Sequence, residues 1–241
     1  MLNPLFINNP SLRSEYIAFL SDFILERRLS QIHKVLESRT RYITVVLEDI
    51  YQSQNASAVL RTCDCMGVQD VHIIEKLHSF HINPQVVLGS SKWLTLTKYK
   101  EDDNNSIQAI ESLKSAGYRI VATSPHAENV DLDRFDLNKG KIALFFGTEV
   151  TGLSETVLKN ADEFISIPMY GFTESYNISV SAAIVLNTLI SKLRNSDIKY
   201  QLIQDEHDML LLSWLKATTK NCEMMEKRFL LEKNIEYSKK Y

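Results

Sequence analysis

Glycine is scarce in this chain, seven in 241 residues, so the places where it gathers carry information. It belongs where the backbone turns sharply or a ligand approaches closely. Cysteine is scarcer still. Cys63, Cys65 and Cys222 are an odd number with no CxxC pair, which argues against a disulfide framework and against a zinc site. On a helix Cys63 and Cys65 stand about 200° apart, too far round to share a ligand. Among the histidines only His78 and His81 have ligand-like spacing, and no carboxylate or cysteine cluster joins them, so no metal is expected. Long apolar runs are missing too. Nothing approaches the ~18–20 residues that span a bilayer, and Ser175–Ser191 is broken by Asn177, Ser179, Ser181 and Asn187. The N-terminus has no basic segment followed by an apolar one, so no secretory signal is read and the cytoplasm is the expected compartment. GxGxxG after the first strand and GxxxxGK[ST] are both absent, which argues against a Rossmann dinucleotide site and excludes a P-loop NTPase.

What is present is the balance of a globular protein, 44% hydrophobic and 24% charged, in a length suiting one large domain with helical additions. The net charge of −3 is unevenly spread: residues 1–41 carry +2, residues 216–241 carry +3, and residues 42–215 carry −8. Basic ends on an acidic centre suit RNA-gripping extensions, or simply solvated helix faces.

Apolar residues at helical spacing predict one helix over 12–37, with Arg27, Arg28, Lys34, Arg39 and Arg41 gathered in and after its second half. Tyr42–Leu47 is β-branched enough for a buried strand. Residues 55–66 read as a helix with Asn55 as its N-cap and Gly67 as its stop. Strands at Val71–Ile74, within GSSKWLTL, and at Tyr118–Ala122 alternate with a helix at Ile107–Ala116. Two further strands, Ile142–Phe146 and Phe164–Ile167, precede helices at about 154–161 and 178–194. Such alternation predicts an α/β fold, a mostly parallel sheet with helices on both faces. Its expected parts are a helical extension at 1–41, a core at 42–195 and a second helical extension at 196–241.

Four of the seven glycines, Gly140, Gly147, Gly152 and Gly171, fall in or beside the segment Ile142–Leu186. Ligands of open α/β sheets bind at the carboxyl ends of the strands. By that rule Thr123, Gly147–Gly152 and Pro168–Tyr176 converge on one backbone-lined pocket.

Three stretches in that arrangement are recognisable: NASAVLRTCDCMGV (55–68), FFGTEVTGLSE (145–155) and IPMYGFTESYNISVSAA (167–183). In order and spacing they resemble the three motifs of the SpoU/TrmH branch of the SPOUT RNA methyltransferases. GSSKW at 89–93 also fits, and the resemblance covers about residues 27–190. It implies a deep trefoil knot in the C-terminal part of the sheet, a homodimer, and S-adenosyl-L-methionine (SAM) bound in the knot. The implied reaction is methyl transfer to a ribose 2′-hydroxyl. The nearest implied substrate is tRNA, at guanosine-18 of the D-loop. Ribosomal RNA is the alternative, and a catalytically inactive RNA-binding paralogue is the alternative of another class. Without a separate N-terminal domain, the chain is more similar to the tRNA-type members.

Residue by residue, the resemblance implies catalytic positions at Arg61, Asn55, Glu149, Ser175 and Asn177. Arginine keeps its proton at ordinary pH and makes a poor base. Arg61 therefore suits a bidentate clamp on the phosphate beside the nucleophile, or, read alone, a surface pair with Asp64. Ser175 and Asn177 are also good helix N-caps. SAM is expected against Thr123, Gly147, Gly152, Ile167, Met169 and Tyr176, with RNA against Arg27, Arg28, Lys34, Arg39, Arg41, Lys192 and Arg194. The chain departs from the family pattern at Ser53 and Gln54, at Tyr176, and at Gln31, Ser191 and Leu193, where tRNA-type members tend to carry arginine.

Overall fold

A computed structural model describes residues 2–100, 104–124, 130–148 and 151–235. In chain order the elements are α1 (Pro4–Asn8), α2 (Pro10–Ser21), α3 (Glu26–Leu36), β1 (Ile43–Glu48), α4 (Ser53–Met66), β2 (Asp70–Ile74), α5 (Pro84–Val87), β3 (Thr95–Tyr99), α6 (Asn105–Ser115), β4 (Arg119–Thr123), β5 (Val130–Asp131), β6 (Ile142–Phe146), α7 (Glu155–Asn160), β7 (Glu163–Ser166), α8 (Ile178–Arg194), α9 (Gln204–Thr218) and α10 (Cys222–Glu232). They divide into two compact units: Thr40–Gln201, and the terminal segments Met1–Arg39 with Leu202–Tyr241.

The unit Thr40–Gln201 is built on one sheet, ordered β3-β2-β1-β6-β4-β7-β5 with every described pairing parallel. Parallel strands buried on both faces need apolar residues at every position. β1 and β6 meet that demand, with all of Ile43–Glu48 and Ile142–Phe146 buried. Alternate residues then serve opposite faces. Val45, Leu47, Leu144 and Phe146 pack with α4 and α8, while Val46, Ala143 and Phe145 pack with α6 and α7.

α8 is held by one apolar stripe, Ile178, Ala182, Val185, Leu189 and Leu193, at helical spacing. α4 beside it buries Ala56, Val59, Leu60 and Cys63. The αL residue Gly67 (φ 81°) ends α4, and the Val68 N–H returns to the Cys63 carbonyl at 3.0 Å. β6 enters between β1 and β4, and β7 between β4 and β5, so late strands lie between earlier ones.

In the unit of the two terminal segments, Tyr16 stacks on Phe6 with ring centres 4.5 Å apart and meets Phe229 at 4.9 Å. Arg13 is buried there, ion-paired with Asp205.

Three local expectations need correction. The helix predicted over 12–37 is two helices, broken between Ser21 and Glu26. The Ser21 hydroxyl bonds back to the Ile17 carbonyl at 2.8 Å, and Ser and Asp compete with helix continuation through such local bonds. Asn55 is not the N-cap of α4: Gln52 holds that place and Asn55 lies inside the first turn. In GSSKWLTL the strand starts only at Thr95, because Ser90–Trp93 forms a 3₁₀ turn.

β6 runs into a turn closed by a backbone bridge between Thr148 and Gly152. Thr148 and Gly152 exchange backbone hydrogen bonds, at 3.0 Å from the Thr148 N–H and 3.1 Å from the Gly152 N–H. This brings Gly147 against the returning chain. A Cβ on Gly147 would stand 2.2 Å from the Gly152 carbonyl carbon and 2.4 Å from the Leu153 nitrogen. The obstacles are backbone, so no rotamer change relieves them. Gly147→Ala is therefore expected to cost about 1–3 kcal/mol by overpacking. At ~2–4 °C per kcal/mol, its Tm in a thermal melt should fall by several degrees. Gly171→Ala, where nothing lies within 4 Å of the added Cβ, should melt like the parent. A parent-like Tm for Gly147→Ala would contradict the close packing.

Candidate active site

Where β4, β6 and β7 end at their carboxyl sides, the chain encloses a cavity of about 490 Å³. The six residues expected against SAM, namely Thr123, Gly147, Gly152, Ile167, Met169 and Tyr176, all line it, and so does Ser175. Thr123 closes β4, and its hydroxyl donates to the Phe145 carbonyl at 2.7 Å, tying two strand ends together beneath the cavity. Ile167 and Met169 follow β7, and Tyr176 stands half-exposed just before α8.

Sequence reasoning passed over Ile178, Ser181 and Val185, which reach the cavity from the first two turns of α8. Their spacing places them on one helical face, and that was the available signal. Thr148 and Glu174, inside the two loops expected to converge there, line it as well. Among the described lining residues there is no lysine, arginine or histidine, and Glu174 is the one charged group.

Asn177 joins this cavity to α4. It is the N-cap of α8, accepting from the Ser179 N–H at 2.9 Å and the Ser179 hydroxyl at 2.7 Å. Its amide nitrogen donates to Asn55 Oδ1 at 3.1 Å, across 122 positions of sequence. Asn55 is 9% exposed and also donates to Gln52 Oε1 at 3.2 Å. Placed inside the first turn rather than at the cap, its side chain is available for this contact.

Arg61, further along α4, is exposed. It makes no hydrogen bond or ion pair with any described residue, so the surface pair with Asp64 does not form. Glu149 lies outside the described residues. Ser175 lies in the cavity wall and is not the helix cap.

A residue missed from the sequence stands behind the cavity loop. Glu48 ends β1 and is only 2% exposed. Its carboxylate accepts from Ser106 Oγ at 2.6 Å, Ser154 Oγ at 2.7 Å and Ser154 N–H at 2.8 Å, with Lys76 Nζ at 3.0 Å. Burial alone would raise this carboxyl, but the hydrogen bonds from Ser106, Ser154 and Lys76 outweigh it and hold the group below the usual carboxylate range. The signal was a charged residue completing a strand otherwise fully buried, since such a group must find partners.

The basic residues separate. Arg27 and Lys34 share one face of α3 with Ser30 and Gln31, around a shallow depression, and Arg28 is exposed on the same helix. Arg39 cannot grip RNA as expected: it is 1% exposed, its guanidinium 5.1 Å from the Trp214 ring centre. Arg41 pairs with Asp70 at 3.1 Å. Lys192 donates to the Asp133 and Phe135 carbonyls at 2.8 and 3.0 Å, and Arg194 donates to the Met66 carbonyl at 3.2 Å. These last three are engaged within their own unit.

Similarity to known proteins agrees with this geometry. Residues 42–187 match the model of the SpoU rRNA Methylase family. The chain is 50% identical over 210 residues to a tRNA (guanosine(18)-2′-O)-methyltransferase of Borreliella burgdorferi, covering 87% of this chain and 94% of that protein. The structure of the A. aeolicus TrmH/SpoU tRNA modifying enzyme superposes with a TM-score of 0.72 at 29% identity, over 81% of this chain and 98% of that one. The SpoU methyltransferase AviRb from Streptomyces viridochromogenes, solved with the cofactor AdoMet, shares the fold at a TM-score of 0.56 and 22% identity, over 68% of this chain and 62% of that one. With a family match over more than half its length and a relative this similar, the chain belongs to the SpoU methylase family.

Proposed function

We propose that this protein is a SAM-dependent RNA ribose 2′-O-methyltransferase acting on tRNA, with guanosine-18 of the D-loop as its target. The names of its relatives support the substrate. The observation that carries the cofactor is the chemistry of the cavity. Its volume of about 490 Å³ lies in the range of small-molecule sites, roughly 300–1,000 Å³. A polyphosphate would call for cations, and the described lining offers none, only Glu174. Backbone groups and small polar side chains with one carboxylate suit a neutral adenosine joined to a cationic sulfonium.

When bound there, SAM supplies an electrophilic methyl group on sulfur. The chain's own residues must place the ribose 2′-oxygen in line with it, and positioning of this kind is worth up to roughly 7–11 kcal/mol. Arg61, exposed and without a protein partner among the described residues, is the clamp: its fork holds the phosphate beside the target ribose. The Asn177–Asn55 bond fixes the helix start carrying Tyr176 against the helix carrying Arg61. Ser175 offers a hydroxyl to the same place, and Glu149 completes the catalytic set. Arg27, Arg28 and Lys34 on α3 are the proposed RNA contacts, with Arg41, Lys192 and Arg194 contributing only what their internal bonds leave.

The chemistry is assigned to 42–195, with the helical segments 1–41 and 196–241 as its extensions. The insertion of β7 between β4 and β5 supports a trefoil knot. Tyr170 (96% exposed) and Phe172 (109%) on the loop before α8 support a homodimer that covers them. Among the described residues no helix is long and apolar enough to cross a membrane, and the cytoplasm, where tRNA is found, is the proposed compartment.

Incubation with labelled SAM and an unmodified tRNA transcript, followed by mapping of the methylated ribose, tests the assignment. Label is expected on the 2′-oxygen of guanosine-18. Label on a base, or on ribosomal RNA alone, overturns the tRNA 2′-O assignment, and RNA binding without transfer identifies an inactive paralogue. Arg61→Ala should reduce kcat by about 100-fold or more, the scale of lost alignment, while leaving the SAM Kd near that of the parent. Retained turnover would refute the clamp.

A further inference from the structure

Glu48 makes no contact with the cavity, yet it reaches the loop that forms one wall. In the sheet register Leu47 pairs with Phe146, so Glu48 stands one step beyond, beside the start of the loop at Gly147. Its two oxygens engage Ser154, where that loop ends: Oε2 takes the backbone N–H at 2.8 Å and Oε1 takes the hydroxyl at 2.7 Å. Between these ends the wall is fixed by the Thr148–Gly152 backbone pair and by buried Leu153, which also lines the cavity. Ser106 of α6 and Lys76 hold the carboxylate from outside the loop.

A surface ion pair contributes little, but a buried carboxylate with four donors fixes its partners, because moving any of them leaves a charge unsatisfied. We propose that Glu48 is a positioning residue for the cofactor: by chelating Ser154 it sets the place of the wall residues Gly147, Gly152 and Leu153 and so governs SAM affinity. This rests on reading the cavity as the SAM site. Binding of S-adenosylhomocysteine to the parent protein tests that reading first and separately.

Three variants test the proposal. Glu48→Gln keeps the shape, but its amide sets a donor where an acceptor now meets the Ser154 N–H or hydroxyl. Ser154→Ala and Ser106→Ala each remove one hydroxyl from the same Glu48 oxygen, but only the first lies on the loop. Calorimetry with S-adenosylhomocysteine should show Glu48→Gln and Ser154→Ala weakened by on the order of tenfold, with Ser106→Ala weakened clearly less, because both Ser154 donors and Lys76 still hold the carboxylate there. In steady state the first two should raise KM for SAM and leave KM for tRNA unchanged. Should Glu48→Gln fail to fold, the Ser154→Ala and Ser106→Ala pair decides alone. Equal losses in the two serine variants would reduce Glu48 to general core stability and overturn the proposal. Parent-like binding in Ser154→Ala would overturn it as well.

Discussion

The close approach of Gly147 to Gly152 is the constraint on which the rest of the site depends. A parallel sheet leaves its strand ends as bare backbone, and those polar groups must be paired or face a ligand. After β6 the chain answers by folding onto itself, using one paired pair of amides and a contact only glycine allows. That turn sends the chain back under Glu48 and into α7, leaving room between the ends of β4, β6 and β7. The same economy explains why glycine is spent here in a chain that has so little of it.

A wall alone performs no chemistry. The Asn177–Asn55 hydrogen bond links the cavity side, through the cap of α8, to the helix that presents Arg61. A neutral amide pair is worth only about 1 kcal/mol net. Its value is geometric, because both partners sit at the ends of helices already anchored in one core. Glu48 does for the loop what this pair does for the helices. Both devices use polar groups with fixed partners, the buried Glu48 and Asn55 among them.

Much of this was legible in the sequence, for reasons that can be named. Apolar runs ending at glycine or proline placed β6 and β7 to within about a residue, and the rule for strand ends gathered Thr123, Gly147, Gly152 and Met169 into one cavity. The motif resemblance, not periodicity, supplied the methyl-transfer chemistry. Other features were hidden. Apolar spacing runs on through Ser21–Glu26, so the break into α2 and α3 did not show. Asn55 has the chemistry of an N-cap, and only the helix start two residues earlier frees it for Asn177. Arg39 reads as surface charge, because its partner Trp214 lies far along the chain. Glu48 could be suspected of needing partners, yet nothing local names Ser106 and Ser154. The order of β6 and β7 within the sheet is likewise set by long-range packing.

The central claim is that one cavity, at the ends of β4, β6 and β7, receives the cofactor. Amide NMR spectra of the intact chain, recorded as S-adenosylhomocysteine is added, address it directly. Resonances of Thr123, Gly147, Gly152, Ile167 and Met169 should move together, while those of Arg27 and Lys34 on α3 stay in place. Shifts centred on α3, with the strand-end loops unmoved, would contradict it.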